Sequence, residues 1–324
     1  MRLRAGLRVL RRSATEVQVG TDPRWAVRLT DLSPAETTLL LALDDGAQAP
    51  RSDDPILRLL ADAHLSETGP RAQELRGPAG IDARSLSLLR PGGDGAAVVR
   101  ARAGTVVGVL GLGPTGLGIA AGLASAGVGT VLLDDARPVR STDVGPAGYR
   151  WTDVGSARVG VAARLLRDVA PHVSTESLRP PDLVVLVESD VADPVRGPAL
   201  VTAGTAHLSV VVREADTLVG PLVVPGTGPC LRCLDLHRTD ADPAWPVLLS
   251  QLRGRRDPDG GEPAVTACVA SGLATAAVLG HLDGMPTHPA GTVFEIAVPA
   301  AVPHRRAWAV HPECGCTALP SIAG

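Results

Sequence analysis

Apolar residues fall into short alternating pieces at the start of the chain and into unbroken runs further on. Residues 7–30 contain GLRVLRR, EVQVG and WAVRLTD, with the turn-forming GTDP before the third piece, a pattern that predicts three short antiparallel strands. Two helical patterns follow. Ser33 and Pro34 supply a cap and a first-turn proline ahead of Leu39, Leu40, Leu41 and Leu43, and Asp53-Asp54-Pro55 opens a second helix over ILRLLADAHL. This first module is expected to span residues 1–70. Residues 71–104, rich in Gly, Pro, Arg and Asp, read as a linker with one short helix and an edge strand over AAVVRA.

From residue 105 strand and helix alternate. TVVGVL is a buried type of strand, PTGLGIAAGLASA a helix of small residues and GTVLL a second strand, together a βαβ unit. A helix over VGVAARLLRDVAP and a strand over DLVVLVES come next, and HLSVVVRE with TLVGPLVV reads as a hairpin. The predicted class is α/β: a Rossmann-like domain with a mixed sheet over residues 105–324, preceded by a small α+β, winged-helix-like domain.

Composition narrows the chemistry. The 324 residues are enough to bury about three quarters of the unfolded surface. A net charge of -3, 31 basic against 34 acidic residues and 2% aromatics provide neither a basic stripe nor stacking rings, which argues against nucleic acid as a partner. Every basic residue is Arg, and Asn is absent as well. A Schiff-base lysine, a P-loop lysine and a catalytic Asn are thereby excluded. At the N-terminus, MRLRAGLRVLRRSATEVQVG has Arg interrupting each apolar run, unlike a secretory signal, so a cytoplasmic protein is expected. Residues 264–282, AVTACVASGLATAAVLGHL, are uncharged over a membrane length but mostly Ala with Thr, Ser, Cys and His. They read as a buried helix rather than a membrane span.

Between the first strand and helix of the βαβ unit lies GLGPTG, with Gly111, Gly113 and Gly116 in G-x-G-x-x-G spacing. Glycines there permit a tight turn and close approach to phosphate, and the helix N-terminus offers N–H groups and partial positive charge. Asp134 closes the second strand, 18 residues past Gly116, where a carboxylate can accept hydrogen bonds from a ribose. The same pattern also describes a plain strand-to-helix packing turn beside an exposed Asp.

Five cysteines in such a chain argue against a disulfide framework. Cys230 and Cys233 form a C-x-x-C pair after a turn-rich PGTGP, and Cys314 and Cys316 a second pair in HPECGC. Two short pairs brought together satisfy the tetrahedral preference of structural zinc, although a redox pair or unlinked core cysteines stay open. Such a site would contribute roughly 10 kcal/mol of apparent binding energy. Cys268, inside the Ala-rich helix, reads as a small buried core residue. His311 reads as structural or exposed, with a substitute ligand as the other possibility.

The order of these features resembles the ubiquitin-activating-enzyme-like family of ThiF/MoeB type over roughly residues 105–324. The features are the glycine loop, Asp134, DVGPAGYRWTDVGSARVGVAARLL, a Ser-Asp after a strand, and C-x-x-C with a distant Cys pair. The resemblance implies binding of ATP and Mg²⁺, adenylation of a C-terminal carboxylate, a homodimer and a structural zinc on the two Cys pairs. It also implies that Asp134 holds the ribose, that Arg150 matches the arginine of an Asn-Leu-x-Arg-Gln stretch and that Asp190 matches a metal-linked aspartate. Ala147 and Trp151 replace that stretch's Asn and Gln, and Arg158 replaces a phosphate-contacting Lys, keeping the charge but not the compact geometry. The first module is similar to the PqqD-like peptide-recognition domain of azoline-forming ThiF-like proteins, where a leader peptide adds a strand to a sheet edge.

Three functions are compatible with these readings. One is an adenylyltransferase acting on a peptide or small carrier protein held by residues 1–70. Another is a catalytically silent leader-peptide-binding partner of a YcaO-type cyclodehydratase. The last, an NAD-dependent oxidoreductase, lacks an evident acid–base constellation after the second strand.

Overall fold

The computed structural model describes residues 1–44, 54–67, 75–90, 94–254 and 261–317. Asp53 and the expected module end near residue 70 lie outside the described residues. The chain divides into two compact units, Met1–Ala101 and Arg102–Gly324.

In the first unit, β1 (Arg2–Leu3) pairs with β5 (Ser66–Glu67), while β2 (Val9–Arg11), β3 (Val17–Val19) and β4 (Val27–Leu29) form the antiparallel three-stranded sheet predicted by the alternation. Helices α1 (Pro34–Asp44) and α2 (Pro55–Asp62) follow. Ser33 caps α1 reciprocally with Glu36: Ser33 N–H donates to the Glu36 carboxylate at 2.7 Å and Glu36 N–H to Ser33 Oγ at 3.3 Å. Asp54 caps α2 by accepting from Ile56 N–H at 2.9 Å. Val17, Val19, Leu40 and Leu60 are buried together at the centre of this unit. The stretch expected to be a linker carries two helices, α3 (Pro78–Leu89) and α4 (Gly95–Arg102). AAVVRA is therefore helical rather than an edge strand. Asp94 accepts from Ala97 N–H at 2.8 Å and so starts a helix that the Val pair alone does not oppose.

The second unit is built on a seven-stranded mixed sheet, ordered β12-β11-β10-β9-β8-β6-β7. Its strands are β6 (Val106–Leu110), β7 (Thr130–Asp134), β8 (Leu183–Ser189), β9 (Ala206–Val212), β10 (Asp216–Val223), β11 (Thr292–Ala297) and β12 (Pro303–Ala307). β7, β6, β8 and β9 run parallel, and β9 to β12 are antiparallel neighbours, with an irregularity in β10 between Val219 and Leu222. The continuous Val/Leu runs of β6, β8 and β9 are explained by burial on both faces. β12 is a different kind of strand: all five residues of PHRRA are exposed, and Arg306 pairs with Glu295 on β11 at 2.7 Å.

Helices α5 (Pro114–Ser125), α6 (Arg158–Val169), α7 (Arg196–Thr202), α8 (Leu231–Ala241), α9 (Trp245–Gly254) and α10 (Ala264–Leu282) complete this unit. α10 is long and apolar enough to cross a membrane by length and composition. It packs instead on α5 and β10, burying Thr266, Ala267, Ala270, Ser271, Ala274, Val278 and Gly280. Cys268 is exposed, not buried: the uniformly apolar run does not reveal which face turns inward. Gly118 and Gly122 of α5 face Ser271 and Thr275 of α10, and a Cβ on Gly118 would lie 2.4 Å from Ser271 Oγ. Gly118→Ala is expected to destabilise the protein by about 1–3 kcal/mol through overpacking, read as a lower urea midpoint at unchanged slope; an unchanged midpoint would refute this account of the α5–α10 contact.

Candidate nucleotide site and cysteine cluster

The glycine loop lies at the carboxyl end of β6, where the chain proceeds to β7 on one side and β8 flanks it on the other. Open α/β sheets place ligands at such a reversal. Gly111 has φ +90°, and a Cβ there would lie 2.1 Å from the Val187 carbonyl oxygen, so both conformation and space require glycine. A Cβ on Gly116 would lie 1.8 Å from the Gly111 carbonyl oxygen. Gly113 differs: it is the N-cap of α5 with ordinary φ, and the atom a Cβ would meet first is Glu262 Oε1 at 2.7 Å.

Several bonds clamp the loop. Gly111 N–H donates to the Asp134 carbonyl at 2.8 Å, and Leu112 N–H to Asp135 Oδ2 at 2.8 Å. The hydroxyl of Tyr149, the sole tyrosine, donates to the Leu112 carbonyl at 2.8 Å. Ser271 Oγ donates to the Thr115 carbonyl at 3.0 Å, and Thr115 N–H to Glu262 Oε2 at 2.9 Å. Burial raises the Glu262 pKa, with Asp143 adding to the effect while Thr115 and Arg158 oppose it.

Asp134 ends β7 with its side chain exposed, whereas the neighbouring Asp135 turns inward. Arg158, the first residue of α6, is 1% exposed and holds Asp135 at 2.9 Å through Nη1 and Asp143 through Nε at 3.0 Å and Nη2. Its charge is thus committed to two carboxylates of the protein. Burial alone would raise the pKa of Asp135. The Arg137 side chain, the Leu112 and Arg137 N–H groups and Arg158 outweigh that effect and hold it far below the ordinary carboxylate range. Arg150 is exposed, its N–H bound to Asp153 Oδ2 at 2.9 Å. Asp190 follows β8 with φ +66°, half-buried, its N–H on the Val212 carbonyl at 2.7 Å. Sequence reasoning missed Asp135, Asp143, Tyr149 and Glu262; the Asp-Asp doublet at 134–135 was the available signal for the first of them.

The four paired cysteines converge. Cys230 lies 4.0 Å from Cys233 and 3.7 Å from Cys314, and Cys233 lies 3.5 Å from Cys316, all between sulfurs. These separations match the roughly 3.8 Å edge of a tetrahedron with zinc–sulfur bonds of about 2.3 Å, and greatly exceed a disulfide bond of about 2 Å. Burial raises the pKa of the Cys230 thiol, while at Cys233 burial is outweighed by backbone N–H groups and the neighbouring thiols, which lower it. His311 is buried outside this tetrad. Its Nε2 bonds Asp240 at 2.8 Å, its Nδ1 accepts from Glu313 N–H at 3.1 Å, and it packs edge-on against His237. Both nitrogens of the His311 ring are thus engaged by the protein itself, in a group with His237 and Asp240 whose ligand atoms lie within 4.8 Å of one another. An apolar cavity of about 480 Å³ between β10, β11 and α10, lined by Leu273, His281 and Phe294 among others, has no Arg, Asp or Glu and no residue of the glycine loop among the described residues that line it. Its chemistry does not suit a triphosphate.

The described architecture is a ThiF/MoeB-like fold. Solved structures of this fold include E. coli MccB with ATP, at 17% identity and TM-score 0.66, covering 98% of this chain and 99% of that one. They also include the microcin C7 biosynthetic enzyme MccB in complex with N-formylated MccA, at 17% identity, TM-score 0.67 and the same coverage. PaaA matches at 15% identity and TM-score 0.67 over 94% of this chain and 99% of that one. No protein-family model and no curated protein matches the sequence.

Removing one member of the buried Arg158 pairs should be costly. Asp135→Asn is expected to lower stability by roughly 1–3 kcal/mol at neutral pH, because the charge-assisted bonds that Arg158, Arg137 and the Leu112 N–H make to this carboxylate are weakened while Arg158 keeps only Asp143. Asp135 has a depressed pKa in the folded state, so its contribution is fully present above the unfolded value of about 3.9 and fades as pH falls toward the folded one. The gap between wild type and variant should therefore narrow below about pH 4, as followed by denaturant titration; a gap constant with pH would refute it.

Proposed function

We propose that the protein is an ATP-dependent adenylyltransferase that activates the carboxylate of a peptide or small carrier protein held by the N-terminal unit. The observation that carries this reading is the clamped glycine loop, with Gly111 and Gly116 required by the backbone and Asp134 exposed at the end of the adjacent strand. It is supported by a fold shared with an MccB solved with ATP and with MccA. A carboxylate oxygen of the acceptor would attack the α-phosphorus of ATP, forming the acyl adenylate as the bond to the β-phosphate breaks and pyrophosphate leaves. On this reading Gly111, Gly113 and Gly116 hold phosphate, Asp134 holds the ribose, and Asp190 is the ligand for Mg²⁺. Arg150 brings an exposed guanidinium to the phosphates, where positive charge stabilises what develops in phosphoryl chemistry. Arg158 acts by fixing Asp135 and Asp143 around the loop. Cys230, Cys233, Cys314 and Cys316 hold a structural zinc. A homodimer and a cytoplasmic location complete the proposal.

The buried pairing of Arg158 favours a second reading: a silent relative that keeps the loop but not a phosphate-contacting cation, and delivers a leader peptide to a YcaO-type cyclodehydratase. Calorimetric titration of the full chain with ATP and Mg²⁺, with NAD as control, separates the readings. Binding of ATP in preference to NAD, lost in Asp134→Ala, is the expected outcome; no ATP binding by zinc-loaded protein would reject adenylation. Metal analysis should find one zinc per chain, reduced in Cys314→Ser together with a lowered melting temperature. Zinc-free, fully folded wild-type protein would reject the metal assignment.

A further inference from the structure

Glu262 comes from a part of the chain that the glycine loop does not announce. It directly precedes α10, whose N-cap is Pro263, and it reaches the loop because α10 packs on α5 through the Gly118–Ser271 and Gly122–Thr275 contacts. The carboxylate accepts from Thr115 N–H in the first turn of α5 at 2.9 Å, and its other oxygen lies 2.7 Å from where a Cβ on Gly113 would stand. This is the position at which a helix N-terminus receives an anion, with donor N–H groups and the positive end of the helix dipole. The protein's own carboxylate already fills it. Asp143 nearby adds negative charge, and Arg158 is paired with Asp135 and Asp143.

Resting on the nucleotide-binding reading of the loop, we infer that Glu262 is a selectivity residue that stands in for a phosphate group. Bare anions are refused, and a nucleotide enters by displacing the carboxylate from the α5 N-terminus. Two negative groups cannot share the few donors there without strong repulsion in a partly buried setting. The site is thereby closed to phosphate and pyrophosphate, and open to a ligand whose base and ribose contacts offset the displacement.

The test compares the full-length protein with Glu262→Gln, which keeps shape and removes charge, and with Glu262→Ala, which empties the position. Each is titrated calorimetrically with ATP and with inorganic pyrophosphate at fixed ionic strength. Both variants are expected to bind ATP at least about tenfold more tightly than wild type and to gain pyrophosphate binding that wild type lacks. Circular dichroism melts serve as the folding control. Unchanged or weaker ATP binding in both variants, with wild type binding normally, would overturn this inference and leave the nucleotide reading standing. Absence of ATP binding in all three proteins would overturn both.

Discussion

A guanidinium buried between two buried carboxylates is the constraint around which the candidate site is arranged. Arg158, Asp135 and Asp143 have side chains 1%, 2% and 0% exposed, and they come from the start of α6, the end of β7 and the turn between them. Charges this far from water hold their places because each would be severely destabilised alone. Asp135 then passes the constraint on, since its Oδ2 also receives the Leu112 N–H of the glycine loop. Loop, crossover turn and helix are thus fixed by one charge cluster. Tyr149, buried over the same loop, and Ser271, reaching from α10, hold it from two further directions.

Much of this was legible in the sequence because burial on both faces of a parallel sheet writes itself as unbroken apolar runs. TVVGVL and DLVVLVES read as strands for that reason, GTVLL by its apolar run at the sheet's border, and Gly111, Gly113 and Gly116 by their G-x-G-x-x-G spacing, of which the first and last have no room for a side chain. Asp135 went unread beside Asp134. Adjacent residues point to opposite sides, so one carboxylate emerges while its neighbour pairs inward. Glu262 was illegible for another reason: it lies 147 residues from the Thr115 N–H that it binds, and nothing local marks it. AAVVRA misled because a pair of Val residues suggests a strand while the capping Asp94 decides for a helix.

The cysteine cluster shows a long-range contact that spacing did announce. Two pairs separated by 84 residues between Cys230 and Cys314 meet with sulfurs 3.5–4.0 Å apart. Cys230 is the N-cap of α8 and Cys233 lies within that helix, so the first pair is rigidly presented. The second pair arrives after β12, held by the His311–Asp240 contact to α8. The end of the described chain is therefore anchored twice against one helix, by sulfur and by imidazole.

The far border of the large sheet has a property of its own. β12 is the terminal strand in the sheet order, exposed at all five positions, and such a border is ordinarily a template on which another strand can grow. Pro303 withholds one backbone donor, and Arg305 places positive charge on the same border while Arg306 is paired with Glu295 of the neighbouring strand. Two identical borders brought together would set arginine against arginine. The border strand thus carries a proline and an arginine, two features that disfavour the addition of a further strand to a sheet rich in unbroken Val and Leu runs.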